Sequence, residues 1–118
     1  MTLRLSEEEL EKQCDFIRKL GEEEAKAEAE LFLAKEEAKQ ILDQEYLNAC
    51  QINGTQRQRE AMANTNIEVI NAKDKVAKAI EKHKRYKRRL DLEMAKLDIW
   101  RTISANTRKE KDWYNKGN

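Results

Sequence analysis

Apolar residues in the first half of the chain recur every three or four positions, a spacing that places them on one face of a helix. The alternation of the two steps is typical of a coiled-coil seam. Ser6 and Glu9 form a capping box just before the series, which marks a helix start. This pattern predicts a first helix over about residues 6–50. Its seam residues are Leu10, Cys14, Ile17, Leu20, Ala27, Leu31, Ala34, Ala38 and Ile41.

A second apolar series repeats at seven-residue intervals and predicts another long helix, over about residues 66–112. A companion row three residues further along fills the other half of its seam. The series consists of Val69, Val76, His83, Leu90 and Leu97, with Ala72, Ala79, Tyr86 and Trp100 in the companion row and Ile80, Met94 and Ile103 beside it.

The segment between the two helices, about residues 51–65, carries turn signals. Asn53-Gly54 favours a turn, and capping boxes begin at both Thr55 and Thr65. The second long helix can therefore begin at either threonine. We expect a short helix over about 56–63, or a frayed start, ahead of the second long helix.

A short connection makes two long helices antiparallel neighbours. One register brings the apolar rows together and sets the acidic stretch 22–37 beside the basic stretch 78–89. The sequence therefore predicts an all-α fold, a long antiparallel helical hairpin (coiled coil) that forms a single domain over residues 1–118. In this register Leu31 lies opposite Lys82 or His83, Ile41 opposite Ala72, Leu20 opposite Met94, and Leu10 opposite Ile103.

A second set of apolar residues lies off the seam, and a lone hairpin buries only one side of each helix. We therefore expect a homodimer of hairpins that forms a four-helix bundle. The off-seam set is Phe16, Phe32, Leu33, Leu42, Tyr46, Leu47, Ile70, Ala77, Leu92 and Ile99. The residues expected in the hairpin or dimer core are Leu10, Ile17, Leu20, Leu31, Ile41, Val69, Val76, Leu90, Leu97 and Trp100.

Composition agrees with long polar helices. Charged residues make up 40% of the chain, its mean hydropathy is −1.00, and it has no proline and three glycines. This composition argues against β-sandwich and parallel α/β folds, and no apolar run approaches the roughly 18 residues of a membrane span. Gly21, inside the first helix, predicts a bend or the close approach of a partner.

The net charge of +1 conceals two halves of opposite sign. Residues 1–50 carry 7 basic and 14 acidic side chains, and residues 51–118 carry 17 basic and 9 acidic ones. The halves therefore either pair with each other or leave a basic surface for an acidic partner. The candidate nucleic-acid-binding residues are Lys82, Lys84, Arg85, Lys87, Arg88 and Arg89, with Arg108, Lys109, Lys111, Trp113 and Tyr114 in a C-terminal tail where the aromatic pair could stack on bases.

Each of these features also has a structural interpretation. The acidic stretch 22–37 can neutralise the basic helix, and Trp113 can pack on the hairpin end or on a second copy. DNA-binding domains usually have a pI above about 9, whereas this chain has about 7.7.

Enzyme chemistry is not indicated by the sequence. The single histidine, His83, falls on the seam, and no metal, phosphate-binding or nucleophile motif accompanies it. We therefore expect no catalytic residue, metal site, cofactor or small-molecule substrate. Cys14 and Cys50 are roughly 54 Å apart on one helix, too far for a disulfide, so we expect buried, reduced thiols in a cytoplasmic protein.

Short segments over most of the chain resemble a family of small bacteriophage proteins. The similar residues are the stretch from Glu36 to Leu47, the turn Gly54-Thr55 with Arg57 or Arg59, and the pair Trp100-Arg101. The resemblance implies an early phage or prophage product, found in the cytoplasm of the bacterial host and encoded near recombination or replication functions. These positions would hold the turn and the dimer. The resemblance supplies no catalytic residue.

Together these features predict a non-enzymatic interaction protein that contacts a host or phage protein in DNA recombination, replication or host takeover. The alternatives are a protein that binds nucleic acid through the basic helix and the tail, and a structural role in which the dimer itself is the product.

Overall fold

The computed structural model describes residues 6–51 and 54–116, apart from the side chains at 112 and 114–116. It contains three helices, α1 (Glu7–Ala49), α2 (Gln56–Thr65) and α3 (Ile67–Lys116), and no strand within the described residues. The all-α class is thereby confirmed. The predicted turn region contains α2, and its Asn53 lies outside the described residues. No helix in the described part of the chain has the length and apolarity needed to cross a membrane.

Local hydrogen bonds explain where the helices begin. The Ser6 hydroxyl accepts from the Glu9 amide at 3.2 Å, and the Glu9 carboxylate accepts from the Ser6 amide at 3.3 Å. Thr55 and Gln58 form the same reciprocal capping box at the start of α2. Such boxes satisfy amides that the first helical turn leaves without partners.

Of the two predicted starts of the second long helix, the later one is close to that observed, since α3 begins at Ile67, but the capping box expected at Thr65 does not form. The Thr65 hydroxyl donates backwards to the carbonyls of Ala61 and Met62, so it belongs to the last turn of α2. Asn66 caps α3 instead, because its backbone is extended and its side-chain oxygen accepts from the Glu68 amide at 2.8 Å.

The chain divides into two compact units; each contains paired stretches of α1 and α3, and unit 2 also contains α2. Unit 1 comprises Met1–Glu23 and Tyr86–Asn118. Within it, the Gln13 side-chain amide donates to the Glu93 carboxylate at 2.7 Å. The Arg89 guanidinium carbon lies 5.5 Å from the centre of the Phe16 ring. As the residue number increases along α1, the number of the contacting residue on α3 decreases. The two stretches are therefore antiparallel.

Unit 2 comprises Glu24–Arg85 and shows the same antiparallel order. Lys82 donates to Glu30 and Lys75 donates to Glu37, each at 3.0 Å. Near the other end of the unit, the Asn66 side-chain amide donates to Glu45 at 2.9 Å.

The buried core of each unit is thin. In unit 1 the buried apolar residues are Leu20 and Leu97. In unit 2 the most enclosed side chain is Val69, only 1% exposed, and the other buried residues are Ala27, Ala34, Ala49, Ala63 and Ala72. Of the other core residues expected from the sequence, Leu10, Ile17, Leu31, Ile41, Val76, Leu90 and Trp100 are half-buried.

Contacts at the seam are displaced by about one heptad from the predicted register, although Lys82 still reaches Glu30, the neighbour of its predicted partner Leu31. His83 lies against Glu24, seven residues before Leu31. Met94, expected opposite Leu20, is 48% exposed, and the neighbouring Glu93 takes the inward position. The apolar rows alone did not determine the register, because polar residues also occupy the seam.

A further expectation needs correction. Cys14 is exposed rather than buried, since Gln13 occupies the seam beside it, and Cys50 is half-buried.

Gly21 lies within the continuous helix α1, and a Cβ added there would meet no side chain and no other helix within 4 Å. Close packing within the described part of the chain therefore does not require this glycine. A bend at Gly21 or the approach of a second molecule there stays a prediction.

Candidate functional site

Polar side chains interrupt the apolar seam at three places, and each has a polar partner on the opposite side. Gln13 bonds to Glu93 in unit 1. In unit 2, Glu24 bonds to His83 at 2.8 Å and Glu45 bonds to Asn66. All three pairs are part-buried. A part-buried polar pair disfavours any register that separates its members, because the separated groups would lose their hydrogen bonds.

The electrostatics of Glu93 reflect this pairing. The hydrogen bond from the Gln13 amide lowers the pKa of the Glu93 carboxyl, and partial burial opposes that effect only in part. Lys96, 3.3 Å away, acts in the same direction as Gln13. The carboxylate therefore stays ionised at the seam.

The second polar pair belongs to a larger cluster. Glu28 lies one turn after Glu24 on α1, and both carboxylates lie near the His83 ring. One ligand atom from each of the three residues lies within 4.8 Å of the other two. The side chains of His83 and Glu24 are 17% and 21% exposed, whereas Glu28 is exposed.

The structure corrects the expectation that His83 has no neighbouring ligands. Glu24 and Glu28 are four residues apart, so they share one helix face, and this spacing is visible in the sequence. The histidine comes from 59 positions away in the chain. Only the observed register brings it to the two carboxylates, so the apolar pattern alone did not reveal the cluster.

In unit 2, the acidic helix partly neutralises the basic segment 82–89. Lys82 pairs with Glu30 across the seam. Arg85 pairs at 3.5 Å with Glu81 on its own helix, where both side chains are 74% exposed. Lys84 is exposed and forms no ion pair with a described residue.

Residues 86–89 of this segment belong to unit 1, and their positive charges are balanced by fewer acidic partners. Arg89 lies over the Phe16 ring, an attractive arrangement for a cation. Lys87 and Arg88 are exposed and form no ion pair with a described residue.

The C-terminal tail is helical rather than separate from the helix. Residue 113 lies within α3, and the Trp113 side chain is 78% exposed. The three basic residues of the tail, Arg108, Lys109 and Lys111, are also exposed. The Tyr114 side chain, predicted to stack on bases together with Trp113, lies outside the described residues.

A groove of about 390 Å³ runs between α1 and α3 in unit 2. Ala34 and Ala79 line it with short side chains, and Leu33 stands beside them with 66% of its area exposed. Charged residues form its two borders: Glu30 and Glu37 on α1, and Lys75, Lys78 and Lys82 on α3.

Large apolar side chains outside the core remain exposed on both units. In unit 2 they are Phe32, Leu33, Leu47, Met62, Ile67 and Ile70, and in unit 1 they are Leu92, Met94, Ile99 and Trp113.

Comparison with protein-family models, curated proteins and solved structures finds no match for the chain. The case for a function therefore depends on the cluster, the basic segment and the groove.

Proposed function

We propose that this chain is a non-enzymatic helical interaction protein that pairs with a second copy through the groove of unit 2. The product is a four-helix bundle built from two antiparallel hairpins. Its remaining exposed apolar residues then contact a further protein of the phage or its host, the setting that the family resemblance implies.

The observation that carries this proposal is the imbalance between buried and exposed apolar residues. Eight apolar residues are buried in the described part of the chain, and five of them are alanines. Burial contributes about 0.8 kcal/mol per CH₂ group, so an alanine core contributes little. Among the same described residues, ten large apolar side chains remain about half exposed or more. Covering part of that area would supply the stabilisation that the thin core lacks.

The groove of unit 2 suits a helix of a second copy. The short side chains of Ala34 and Ala79 let another helix approach closely, and the exposed Leu33 can insert into the groove of the second copy. One border is acidic and the other is basic. A two-fold axis would set this groove of one copy against the same groove of the other, and the ion pairs of Lys82 with Glu30 and of Lys75 with Glu37 would flank the contact.

Replacing Leu33 with aspartate should break the dimer. The substitution puts a carboxylate into an apolar contact and removes the inserted side chain. Light scattering of the unmodified chain at about 50 µM should give twice the monomer mass of 13.9 kDa, and L33D should give the monomer mass.

The matched control is Leu92→Asp, since Leu92 is 56% exposed and belongs to unit 1. L92D should remain dimeric. A monomeric mass for the unmodified chain would refute the proposal, and equal dissociation of both variants would exclude the groove as the contact.

A second candidate function is nucleic-acid binding, favoured by the exposed cations Lys84, Lys87 and Arg88. Labelled single- and double-stranded DNA should then bind with an affinity that falls steeply between about 50 and 200 mM salt, because bound cations displace counterions from phosphates. Replacing these three residues with alanine should weaken binding at least tenfold, on the order expected for three lost phosphate contacts.

The control for this experiment removes the same charge from α1. Lys12, Lys35 and Lys39 are also exposed, and their replacement by alanine should leave binding within about twofold if location rather than net charge matters. No binding at the lower salt concentration would exclude this candidate.

A further inference from the structure

We infer that Glu24, Glu28 and His83 form a binding site for a divalent transition-metal ion, with Zn²⁺ as the best-fitting ion. The three residues offer one imidazole nitrogen and two carboxylate oxygens. Zn²⁺ accepts this mixture of nitrogen and oxygen ligands, whereas Ca²⁺ and Mg²⁺ prefer oxygen alone. The site lies within one chain, so it does not depend on the proposed dimer.

The distances suit a metal ion after small rotations of side chains. Ligand atoms around tetrahedral zinc are about 3.3 Å apart, because each lies about 2.0–2.2 Å from the ion. His83 Nε2 and Glu24 Oε1 are 2.8 Å apart, and all three ligand atoms lie within 4.8 Å of one another. The Glu28 side chain is exposed and no described residue binds it, so it can rotate to bring its carboxylate closer to Glu24 and His83.

The helices hold two of the ligands in place before the ion arrives. Glu24 and His83 are already in contact and mostly enclosed between α1 and α3. Glu28 projects from the same face of α1 one turn later. Three protein ligands leave a fourth position on the Glu28 side for water, as in zinc sites that keep an open coordination position.

Charge also favours a cation at this point. Two carboxylates converge there on a single imidazole, so a dipositive ion would relieve their mutual repulsion. An ion between Glu24 and His83 would replace their hydrogen bond with two coordinate bonds that link α1 to α3. Metal binding should therefore stabilise the helix pairing in unit 2.

The test uses the full chain, made metal-free with a chelator and carrying Cys14→Ser and Cys50→Ser, because thiolates would bind zinc themselves. Zn²⁺ should raise the Tm of this chain, and titration against a coloured chelator should show one ion per chain. Co²⁺ should produce visible absorption bands from a nitrogen–oxygen ligand set. Binding should weaken in acid, because protons compete with the metal for the ligands.

Glu28→Gln is the informative variant, because Glu28 is exposed and its loss should not change the Tm without metal. We expect E28Q and H83Q each to weaken Zn²⁺ binding about tenfold or more. Glu22→Gln, an equal charge change at an exposed position of α1, should bind as the parent chain does. The inference is overturned if Zn²⁺ leaves the Tm unchanged, or if either E28Q or H83Q binds zinc as tightly as E22Q.

Discussion

Replacing Val69 with aspartate should abolish the helix pairing of unit 2, whereas the same change at the adjacent Ile70 should be tolerated. Val69 is 1% exposed and Ile70 is 48% exposed. A carboxylate at position 69 would be enclosed without a partner, which costs about 3–5 kcal/mol in comparable cases. At position 70 the carboxylate would reach water near the start of α3, where the helix dipole favours a negative charge.

Urea denaturation followed by circular dichroism distinguishes the two variants. V69D should lose the cooperative transition or shift it to much lower urea concentrations, and I70D should stay within about 1 kcal/mol of the unmodified chain. Equal losses would mean that Val69 does not face the seam. The comparison is sharp because the two residues are neighbours in the chain and receive the same new side chain.

The second large effect concerns the pair formed by Glu24 and His83. Replacing His83 with leucine leaves Glu24 part-buried without its partner, which should cost about 1–3 kcal/mol. Replacing Glu24 with leucine leaves His83 only the exposed Glu28 carboxylate within 4.8 Å, so the cost should lie toward the lower end of that range. Replacing both should cost less than the sum of the single changes, because an apolar pair needs no hydrogen bond. Unfolding free energies measured in the presence of a chelator keep this comparison separate from metal binding.

The control cycle uses Glu81 and Arg85, an ion pair on the surface of α3. Exposed pairs of this kind couple by a few tenths of a kcal/mol. We expect the coupling between Glu24 and His83 to exceed that value by at least about 1 kcal/mol. Equal coupling in the two cycles would show that the seam pair does not contribute to the choice of register.

Features that depend on neighbouring residues were predictable from the sequence. The capping box at Ser6, its counterpart at Thr55 and the apolar periodicity each involve residues no more than a few positions apart. The structure accordingly has helices close to the predicted bounds, including a short one between the long pair. Thr65 was the exception, because its hydroxyl bonded backwards into α2 rather than forwards.

Only part of the candidate metal cluster formed by Glu24, Glu28 and His83 could be predicted from the sequence. The spacing of Glu24 and Glu28 shows that they share a helix face, but it does not show what faces them. The predicted register placed Leu31 opposite Lys82 or His83, and no metal-binding motif accompanies His83 in the sequence, so no metal site was predicted. A rule that matched polar seam residues with polar partners would have found Glu24.

The sequence by itself therefore determined the helices of this protein, the starts of α1 and α2, and the apolar rows of α1 and α3, since caps and periodicity act over a few residues. Only the tertiary structure decided which residues face each other across the seam. Registers one heptad apart superimpose similar apolar rows, so hydrophobic burial distinguishes them poorly. Gln13, Glu24 and Glu45 find polar partners in the observed register, and the cost of leaving such groups unpaired is the physical reason that it is preferred.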